Sequence, residues 1–262
     1  MIARHGLAAR KSLGQHFLLD GNLTARIVRE AGDLAARHVI EIGPGPGGLT
    51  RALLESEAAD ITVVEIDQRA VVAMEELRAI AGDRLRVITA DALATDITEL
   101  TPAPRQLVAN LPYNIASPLL VRWLRQAASF ERMTLMFQLE VAERICAAPG
   151  TEHYGRLAVL AQWICTTAVR LRIPPAAFVP PPKVWSAVVG FIPHAVQPPA
   201  ALFTAMERLT AAAFGQRRKM LRGSLKSLGG EALLTQANIA PDRRAETLTV
   251  QEFARLARLL PP

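Results

Sequence analysis

Residues 39–48 read Val39-Ile-Glu-Ile-Gly-Pro-Gly-Pro-Gly-Gly48, a buried-strand pattern that runs into a glycine-rich turn. A helix is predicted to begin near Gly47, and the glycines at 43, 45 and 48 satisfy the spacing G-x-G-x-x-G. Glycine lets the backbone turn tightly and approach a ligand closely, so this arrangement is typical of a nucleotide-type cofactor site. The spacing alone fits NAD equally well, and a tight turn without a ligand is the alternative interpretation.

The pattern on either side of this turn predicts an α/β fold. From about Val39 to Phe191, short β-branched runs alternate with helical patterns, as in a mainly parallel sheet wrapped in helices. The last two predicted strands flank a proline-rich loop, Pro174–Pro182, which leaves no room for a crossover helix, so they should pair antiparallel. The seven predicted strands are His38–Ile42, Ile61–Ile66, Leu85–Thr89, Gln106–Ala109, Met133–Gln138, Ala168–Ile173 and Ser186–Phe191.

A second boundary is predicted where prolines cluster at Pro193–Pro199 and the sheet pattern stops. Beyond it the sequence has helical spacing, and Thr249 and Glu252 have the spacing of a capping box ahead of the final helix. The two predicted domains are residues 1–196, which include a basic arm at residues 1–20, and the helical residues 197–262.

Composition limits the class of protein. Half of the 262 residues are hydrophobic, which is enough for a sizeable core and argues against global disorder. The net charge of +6 favours a polyanionic partner, such as nucleic acid or an acidic membrane surface. No apolar run approaches the roughly 20 residues that span a membrane, and no secretory signal pattern is visible, so we expect a cytoplasmic protein.

Acidic residues end the next two predicted strands. Glu65 ends the second strand, where a carboxylate can accept hydrogen bonds from both ribose hydroxyls of an adenosine. Asp91 ends the third strand, where it can accept a hydrogen bond from an adenine amine. Each acid alone could equally be a turn residue or a helix cap. Together with the glycine turn they follow three successive strands, along the edge where open α/β sheets bind ligands.

The fourth predicted strand runs into Asn110-Leu-Pro-Tyr113, which matches the Asn-x-Pro-Tyr motif of amino-methyltransferases acting on adenine or cytosine. An adenine amine is a poor nucleophile because its lone pair is delocalised into the ring. Two groups that accept hydrogen bonds from its N–H protons favour a pyramidal nitrogen, whose lone pair then points at the methyl group of S-adenosylmethionine. The transfer depends on orientation and requires no metal. We assign these acceptors to the Asn110 side-chain oxygen and the Leu111 carbonyl. Pro112 would fix the turn, and Tyr113 offers a face on which a flipped-out base can stack. The alternative is an asparagine–proline turn that packs a tyrosine into the core.

Six segments extend the pattern over nearly the whole chain: Lys11-Ser-Leu-Gly-Gln-His-Phe-Leu18, Glu41-Ile-Gly-Pro-Gly45, Asn110-Leu-Pro-Tyr-Asn114, Tyr154-Gly-Arg-Leu157, Phe178-Val-Pro-Pro-Pro-Lys-Val184 and Gln216-Arg-Arg-Lys219. In this order they resemble the bacterial small-subunit ribosomal RNA adenine N6-dimethyltransferases, the kasugamycin-sensitivity enzymes. The resemblance implies a seven-stranded Rossmann-like class I methyltransferase sheet with a small C-terminal all-helical domain, and S-adenosylmethionine as the cofactor. It also implies dimethylation of two adjacent adenosines near the 3′ end of 16S rRNA during assembly of the small ribosomal subunit.

The resemblance also assigns residues by position. It implies that Phe178 forms a second aromatic wall for the target base, opposite Tyr113. At residue 16 the family usually has asparagine, whereas this chain has His16. That change is harmless if the contact with the cofactor is made by the backbone, but it alters affinity if the contact is made by the side chain. The residues expected to contact the cofactor are His16, Leu18, Gly43, Glu65, Asp91 and Asn110.

Basic residues in the helical region are the candidates for RNA contact. Apolar residues from Phe214 to Leu228 recur at helical spacing, so Arg218, Arg222 and Lys226 should share one face of a helix. Such a face can contact phosphates, whereas an ordinary solvated basic face is the alternative. The net charge and the position within the family favour RNA. The residues predicted to bind RNA are Arg217, Arg218, Lys219, Arg222 and Lys226.

Several other functions account for part of the sequence. The large-subunit rRNA dimethyltransferases of macrolide resistance share the catalytic motifs but lack the close match at 178–184 and 216–219. A DNA adenine methyltransferase would carry a target-recognition insertion, and none is visible. A non-catalytic assembly factor would not need the intact motif at 110–113, and an NAD oxidoreductase leaves that motif unexplained. We therefore expect a monomeric enzyme that acts on small-subunit rRNA, within a partly assembled subunit and away from membranes.

Overall fold

The structure is a computed structural model that describes residues 16–216 and 218–261. Most of its strands are β-branched runs that end at glycine, proline or polar residues. In chain order the strands are β1 (Phe17–Leu18), β2 (His38–Ile42), β3 (Asp60–Glu65), β4 (Leu85–Thr89), β5 (Arg105–Asn110), β6 (Arg132–Gln138), β7 (Cys165–Ile173), β8 (Phe178–Val179) and β9 (Ser186–Pro193). Each of the seven predicted strands is present, with ends shifted by three residues or fewer.

The described residues also form ten α-helices. The helices are α1 (Gly21–Glu30), α2 (Gly48–Leu54), α3 (Gln68–Ala81), α4 (Ala116–Leu124), α5 (Leu139–Ile145), α6 (Arg156–Ile164), α7 (Ala200–Gly215), α8 (Leu221–Ser224), α9 (Gly230–Gln236) and α10 (Val250–Leu259). No helix within the described residues is long and apolar enough to cross a membrane.

Seven strands form one sheet in the order β4-β3-β2-β5-β6-β9-β7, which confirms the predicted fold class. The strands from β4 to β6 in this order are parallel, so their carboxyl ends meet at one edge. Strand β9 runs antiparallel to β6, with Ser186 opposite Gln138, and therefore begins at that same edge. The last two predicted strands, β7 and β9, are neighbours. A separate two-stranded sheet pairs β1 with β8, with Leu18 opposite Phe178.

The described residues divide into two compact units, neither of them continuous in sequence. The first consists of residues 16–142 and 168–193, and the second of residues 143–167 together with 194–216 and 218–261. The first unit contains a core in which Val39, Ile61 and Met74 are buried. The predicted second domain begins at residue 197, close to the return of the chain at 194, but residues 143–167 belong to the helical unit as well.

Aromatic packing explains why residues 143–167 group with the helical unit. Within that unit Trp163 of α6 stacks on Phe203 of α7, with ring centroids 6.1 Å apart. Tyr154 is fully buried, and its ring meets that of Phe214 edge to face. The predicted capping box is present, because the Thr249 hydroxyl accepts a hydrogen bond from the backbone N–H of Glu252 and the Glu252 carboxylate accepts one in return.

The prediction that Arg218, Arg222 and Lys226 share one face of a helix is wrong. Helix α7 ends at Gly215, the backbone of Met220 is extended, and α8 has only four residues. Leu221 lies in this short helix and Leu225 lies just before the 3-10 turn that follows it. Both side chains are fully buried, which explains their apolar spacing without one long helix. Consequently Arg218, Arg222 and Lys226 lie in a turn, a short helix and a 3-10 turn, and do not share one helical face.

Candidate functional site

A pocket opens at the edge where the parallel strands end. The glycine turn after β2, the ends of β3, β4 and β5, and strand β1 contribute its walls. Its lining includes all six residues that were predicted to contact the cofactor: His16, Leu18, Gly43, Glu65, Asp91 and Asn110. These residues come from five separate segments: Gly43, Glu65, Asp91 and Asn110 from successive strand ends, and His16 and Leu18, which the resemblance implied, from the segment at β1.

The glycine turn presents backbone to this pocket. Gly45 has a φ angle of 52°, in the left-handed region where a side chain would be strained. Its N–H donates a hydrogen bond to Oε2 of Glu65 at 3.3 Å. The turn after β2 is therefore tied directly to the acid that ends β3.

Backbone N–H groups hold the Glu65 carboxylate in one orientation. Its Oε1 accepts hydrogen bonds from the backbone N–H groups of Ile66 and Asp67, both at 2.8 Å. Burial raises the pKa of Glu65, and these backbone donors partly offset that rise. A carboxylate fixed in this way keeps lone pairs for hydroxyl donors from the pocket.

Two apolar side chains and a second acid also line the pocket. Ile66 and Leu93 line it and are 58% and 37% exposed, so they form an apolar slot open to a planar ring. Asp91 also lines it, and its Oδ1 accepts a hydrogen bond from the N–H of Leu93 at 2.8 Å. The carboxylate of Asp91 thus stabilises the turn after β4 and also borders the slot.

The turn after β5 carries the candidate catalytic residues into the same pocket. Asn110, Leu111, Pro112 and Tyr113 all line it. The Asn110 side-chain amide nitrogen donates to the backbone carbonyl of His16 at 3.1 Å. Because the nitrogen faces that carbonyl, the side-chain oxygen of Asn110 points the other way and is left to accept protons.

The Tyr113 ring is fixed at both ends. Its hydroxyl lies 2.6 Å from the Ser186 hydroxyl, and its ring stacks on that of His16 with centroids 5.4 Å apart. Burial raises the pKa of Tyr113, so the phenol stays protonated near neutral pH. The His16 ring in turn meets Phe178 edge to face, and Phe178 is only 2% exposed. The placement of Phe178 as a second wall for a base stays a prediction, since in this structure His16 lies between the two rings.

His16 contacts other residues of the site through both its side chain and its backbone. Its Nδ1 lies 2.8 Å from the carbonyl oxygen of Pro180, so that nitrogen carries the proton and donates. Its backbone carbonyl accepts the hydrogen bond from Asn110. An asparagine could supply the same backbone contact, whereas the stacking on Tyr113 is specific to the ring of histidine.

Glu41 was not predicted as a site residue, although it lines the pocket. It is 2% exposed, and its Oε2 has no hydrogen-bond partner among the described residues. Burial raises the pKa of Glu41 to about 8, a hydrogen bond with Thr50 partly offsets this rise, and the nearby Glu65 adds to it. The signal in the sequence was an acid inside the otherwise apolar strand that precedes the glycine turn.

The four described residues among those predicted to bind RNA lie in the helical unit, and none of the four lines the pocket. Arg218, Lys219, Arg222 and Lys226 are exposed. Arg217 lies outside the described residues. Exposure leaves these four cations accessible to phosphates, and their role stays a prediction.

The sheet order and the turn after β2 define a class I methyltransferase fold. A family model described as ribosomal RNA adenine dimethylase matches residues 6–261. The chain therefore belongs to the ribosomal RNA adenine dimethylase family, which confirms the resemblance in its motifs. Membership of a methyltransferase family implies the use of S-adenosylmethionine.

Known proteins support this assignment along the whole chain. Ribosomal RNA small subunit methyltransferase A of Gluconobacter oxydans (strain 621H) is 67% identical over 258 residues, which are 98% of this chain and 85% of the relative. A dimethyladenosine transferase from Plasmodium falciparum is similar in structure, with a TM-score of 0.77 and 26% identity over 92% of this chain and 96% of that one. The 23S rRNA methyltransferase ErmE has a TM-score of 0.67 and 27% identity over 93% and 99% of the two chains.

Proposed function

We propose that this chain transfers methyl groups from S-adenosylmethionine to the N6 amines of two adjacent adenosines near the 3′ end of 16S rRNA. The reaction takes place in the cytoplasm, during assembly of the small ribosomal subunit, and the enzyme acts as a monomer. The observation that carries the proposal is one pocket that joins the glycine turn, Glu65 and Asp91 to the turn at residues 110–113. The 67% identity to a relative named for the small subunit favours that subunit over the large one.

The residues of the pocket fit S-adenosylmethionine. Glu65 has a pre-oriented carboxylate for two ribose hydroxyls, and Asp91 borders the apolar slot where an adenine amine needs an acceptor. The backbone at Gly43, together with His16 and Leu18, would enclose the remainder of the molecule. When bound, this cofactor supplies an electrophilic methyl group on a sulfonium.

The turn after β5 prepares the amine of the target base. The side-chain oxygen of Asn110 and the carbonyl of Leu111 accept hydrogen bonds from its two N–H groups, which returns the lone pair to the nitrogen. Pro112 restricts the turn, and the ring of Tyr113 gives the base a surface on which to stack. These groups act by orientation, so the chemistry needs no covalent enzyme intermediate.

The exposed cations of the helical unit dock the RNA in this proposal. Arg218, Lys219, Arg222 and Lys226, together with Arg217, would contact phosphates, which position an RNA without reading its sequence. Identification of the adenosines is then left to the pocket. The residues after 196 act in docking alone, and the pocket that carries the methyl transfer is formed by residues within 1–196.

Methyl transfer from labelled S-adenosylmethionine to partly assembled small subunits, and in parallel to large-subunit rRNA, tests the proposal directly. We expect mass spectrometry of the digested rRNA to show dimethyladenosine, and a Glu65→Ala variant to bind the cofactor about 10- to 150-fold more weakly, because a charged acceptor is lost. Label in large-subunit rRNA alone would support the second candidate, the activity for which ErmE is named. Binding of NAD by the wild-type chain, or unchanged cofactor affinity of the variant, would refute the assignment of the pocket.

A further inference from the structure

The loop between β8 and β9 leaves apolar and basic side chains exposed. Trp185 is 48% exposed and Val184 44%, and Val179, the last residue of β8, is 51% exposed. Lys183 is exposed as well. Single exposed apolar residues are ordinary, but a set of this kind within seven residues, including an indole, is typical of a surface that contacts a partner.

The other two tryptophans of the chain are already packed. Trp123 is fully buried, and Trp163 stacks on Phe203. Trp185 therefore differs from both in presenting a large part of its indole to the surroundings. Its backbone is held in place nevertheless, since its carbonyl accepts a hydrogen bond from the N–H of Leu139 at 2.8 Å.

Both ends of this loop are fastened to the candidate active site. At its start, the carbonyl of Pro180 accepts the hydrogen bond from Nδ1 of His16, which lines the pocket. At its end, Ser186 bonds to the hydroxyl of Tyr113. Since Ser186 pairs with Gln138 at the end of β6, the loop lies at the edge of the sheet where the pocket opens.

We propose that Trp185 is a stacking platform for an unpaired nucleotide next to the target adenosine, with Lys183 available to a neighbouring phosphate. The inference rests on the proposed RNA substrate. A base that flips into the pocket leaves its neighbours without a stacking partner. An aromatic face beside a cation is the combination with which proteins hold single-stranded nucleic acid, and Trp185 and Lys183 supply both within three residues.

Two substitutions of Trp185 separate stacking from mere support of the fold. Trp185→Ala should weaken binding of an RNA fragment from the 3′ end of 16S rRNA by about 5- to 150-fold, the usual effect of losing one stacked base. The effect should appear in KM for RNA, while kcat at saturating RNA and the affinity for S-adenosylmethionine stay near wild type. Trp185→Phe keeps an aromatic face and should restore most of the affinity. Ile80→Ala, at a residue of α3 that is 85% exposed, is the matched control and should change nothing.

Abasic nucleotides locate the stacked base. Each nucleotide around the target adenosine is replaced in turn by an abasic one, and each replacement should weaken RNA binding by the wild-type chain. At one position, that of the stacked base, the replacement should leave the RNA affinity of Trp185→Ala unchanged. Equal RNA affinity of Trp185→Ala and the wild type overturns the inference, even when methyl transfer proceeds. A defect confined to subunits and absent with protein-free RNA assigns the loop to a ribosomal protein and also overturns it. Failure of the wild-type chain to methylate any rRNA removes the proposed function, and this inference with it.

Discussion

Gly48 is the position where a single added carbon should disturb the site most. A Cβ built at this residue lies 2.1 Å from the backbone carbonyl oxygen of Leu18. The two segments would have to separate by about 0.9 Å to reach 3.0 Å, and by about 1.3 Å to reach ordinary contact at 3.4 Å. Neither side can yield by rotating a side chain, because both atoms belong to the backbone or are fixed to it.

Gly48→Ala should therefore push β1 away from the glycine turn. Overpacking of this kind costs about 1–3 kcal/mol of folding free energy, which corresponds to a fall in Tm of about 2–10 °C. Both Leu18 and Gly48 line the pocket, so S-adenosylmethionine should bind about 10- to 100-fold more weakly, as expected from a displacement of about 1 Å. Calorimetric titration and a thermal melt measure the two effects.

Gly21→Ala is the matched control. Gly21 is the first residue of α1, just as Gly48 is the first residue of α2, but a Cβ at Gly21 has no neighbour within 4 Å. This variant should keep the cofactor affinity of the wild type and should melt at the same temperature or slightly higher. If Gly48→Ala behaves like Gly21→Ala in both measurements, the close approach of β1 to the glycine turn does not support the pocket.

Three further changes test separate parts of the molecule. Asn110→Ala should lower kcat by about 100- to 1000-fold at saturating cofactor, with RNA affinity nearly unchanged, and near-normal turnover would remove Asn110 from the mechanism. Glu41 has a folded pKa of about 8, above its unfolded value, so its contribution to stability is present at low pH and is lost as the pH rises toward 8. Glu41→Gln should make the unfolding free energy of the ligand-free protein less dependent on pH between 5 and 8, by at most about 1.4 kcal/mol per pH unit, and parallel pH profiles would contradict this. Changing Arg218, Arg222 and Lys226 together to Gln should flatten the log-affinity versus log-salt slope for rRNA by about 0.7 per lost phosphate contact, and an unchanged slope would make these residues ordinary surface.

Strands and strand-end residues were predictable because each leaves a local pattern. Residues 38–42 and 85–89 are strands with the predicted bounds, since β-branched runs bounded by turn residues define them. The pairing of β1 with β8 was not predicted, because a two-residue strand has no periodicity and its partner lies about 160 residues away. The single helical face predicted for Arg218, Arg222 and Lys226 was wrong for a different reason. The apolar spacing from Phe214 to Leu228 is real, but α7 ends at Gly215 and the backbone of Met220 is extended, so the helix does not continue.

In the site as well, residues marked by their neighbours in the sequence were predictable, whereas contacts between distant segments were not. Glu65 and Asn110 could be predicted to line the pocket because each lies at the end of a strand. The stacking of His16 on Tyr113 depends on a contact between segments about 100 residues apart, which no motif encodes. Residues 143–167 were assigned to the first domain because composition changes only at Pro193, whereas their packing is decided by rings such as Trp163 and Phe203.

The position of β9 between β6 and β7 has a consequence for synthesis of the chain. Strand β7 is synthesised before β9, but its neighbour in the sheet is β9, so β7 cannot pair until β9 has been made. A nascent chain that ends before residue 178 can therefore form the parallel strands β2 to β6, but β7 has no strand to pair with and β1 lacks β8. Emergence of residues 178–193 supplies both missing partners at once. The wall of the pocket formed by β1 is thus completed late in translation, and cofactor binding by stalled chains of increasing length should begin only after this segment is free.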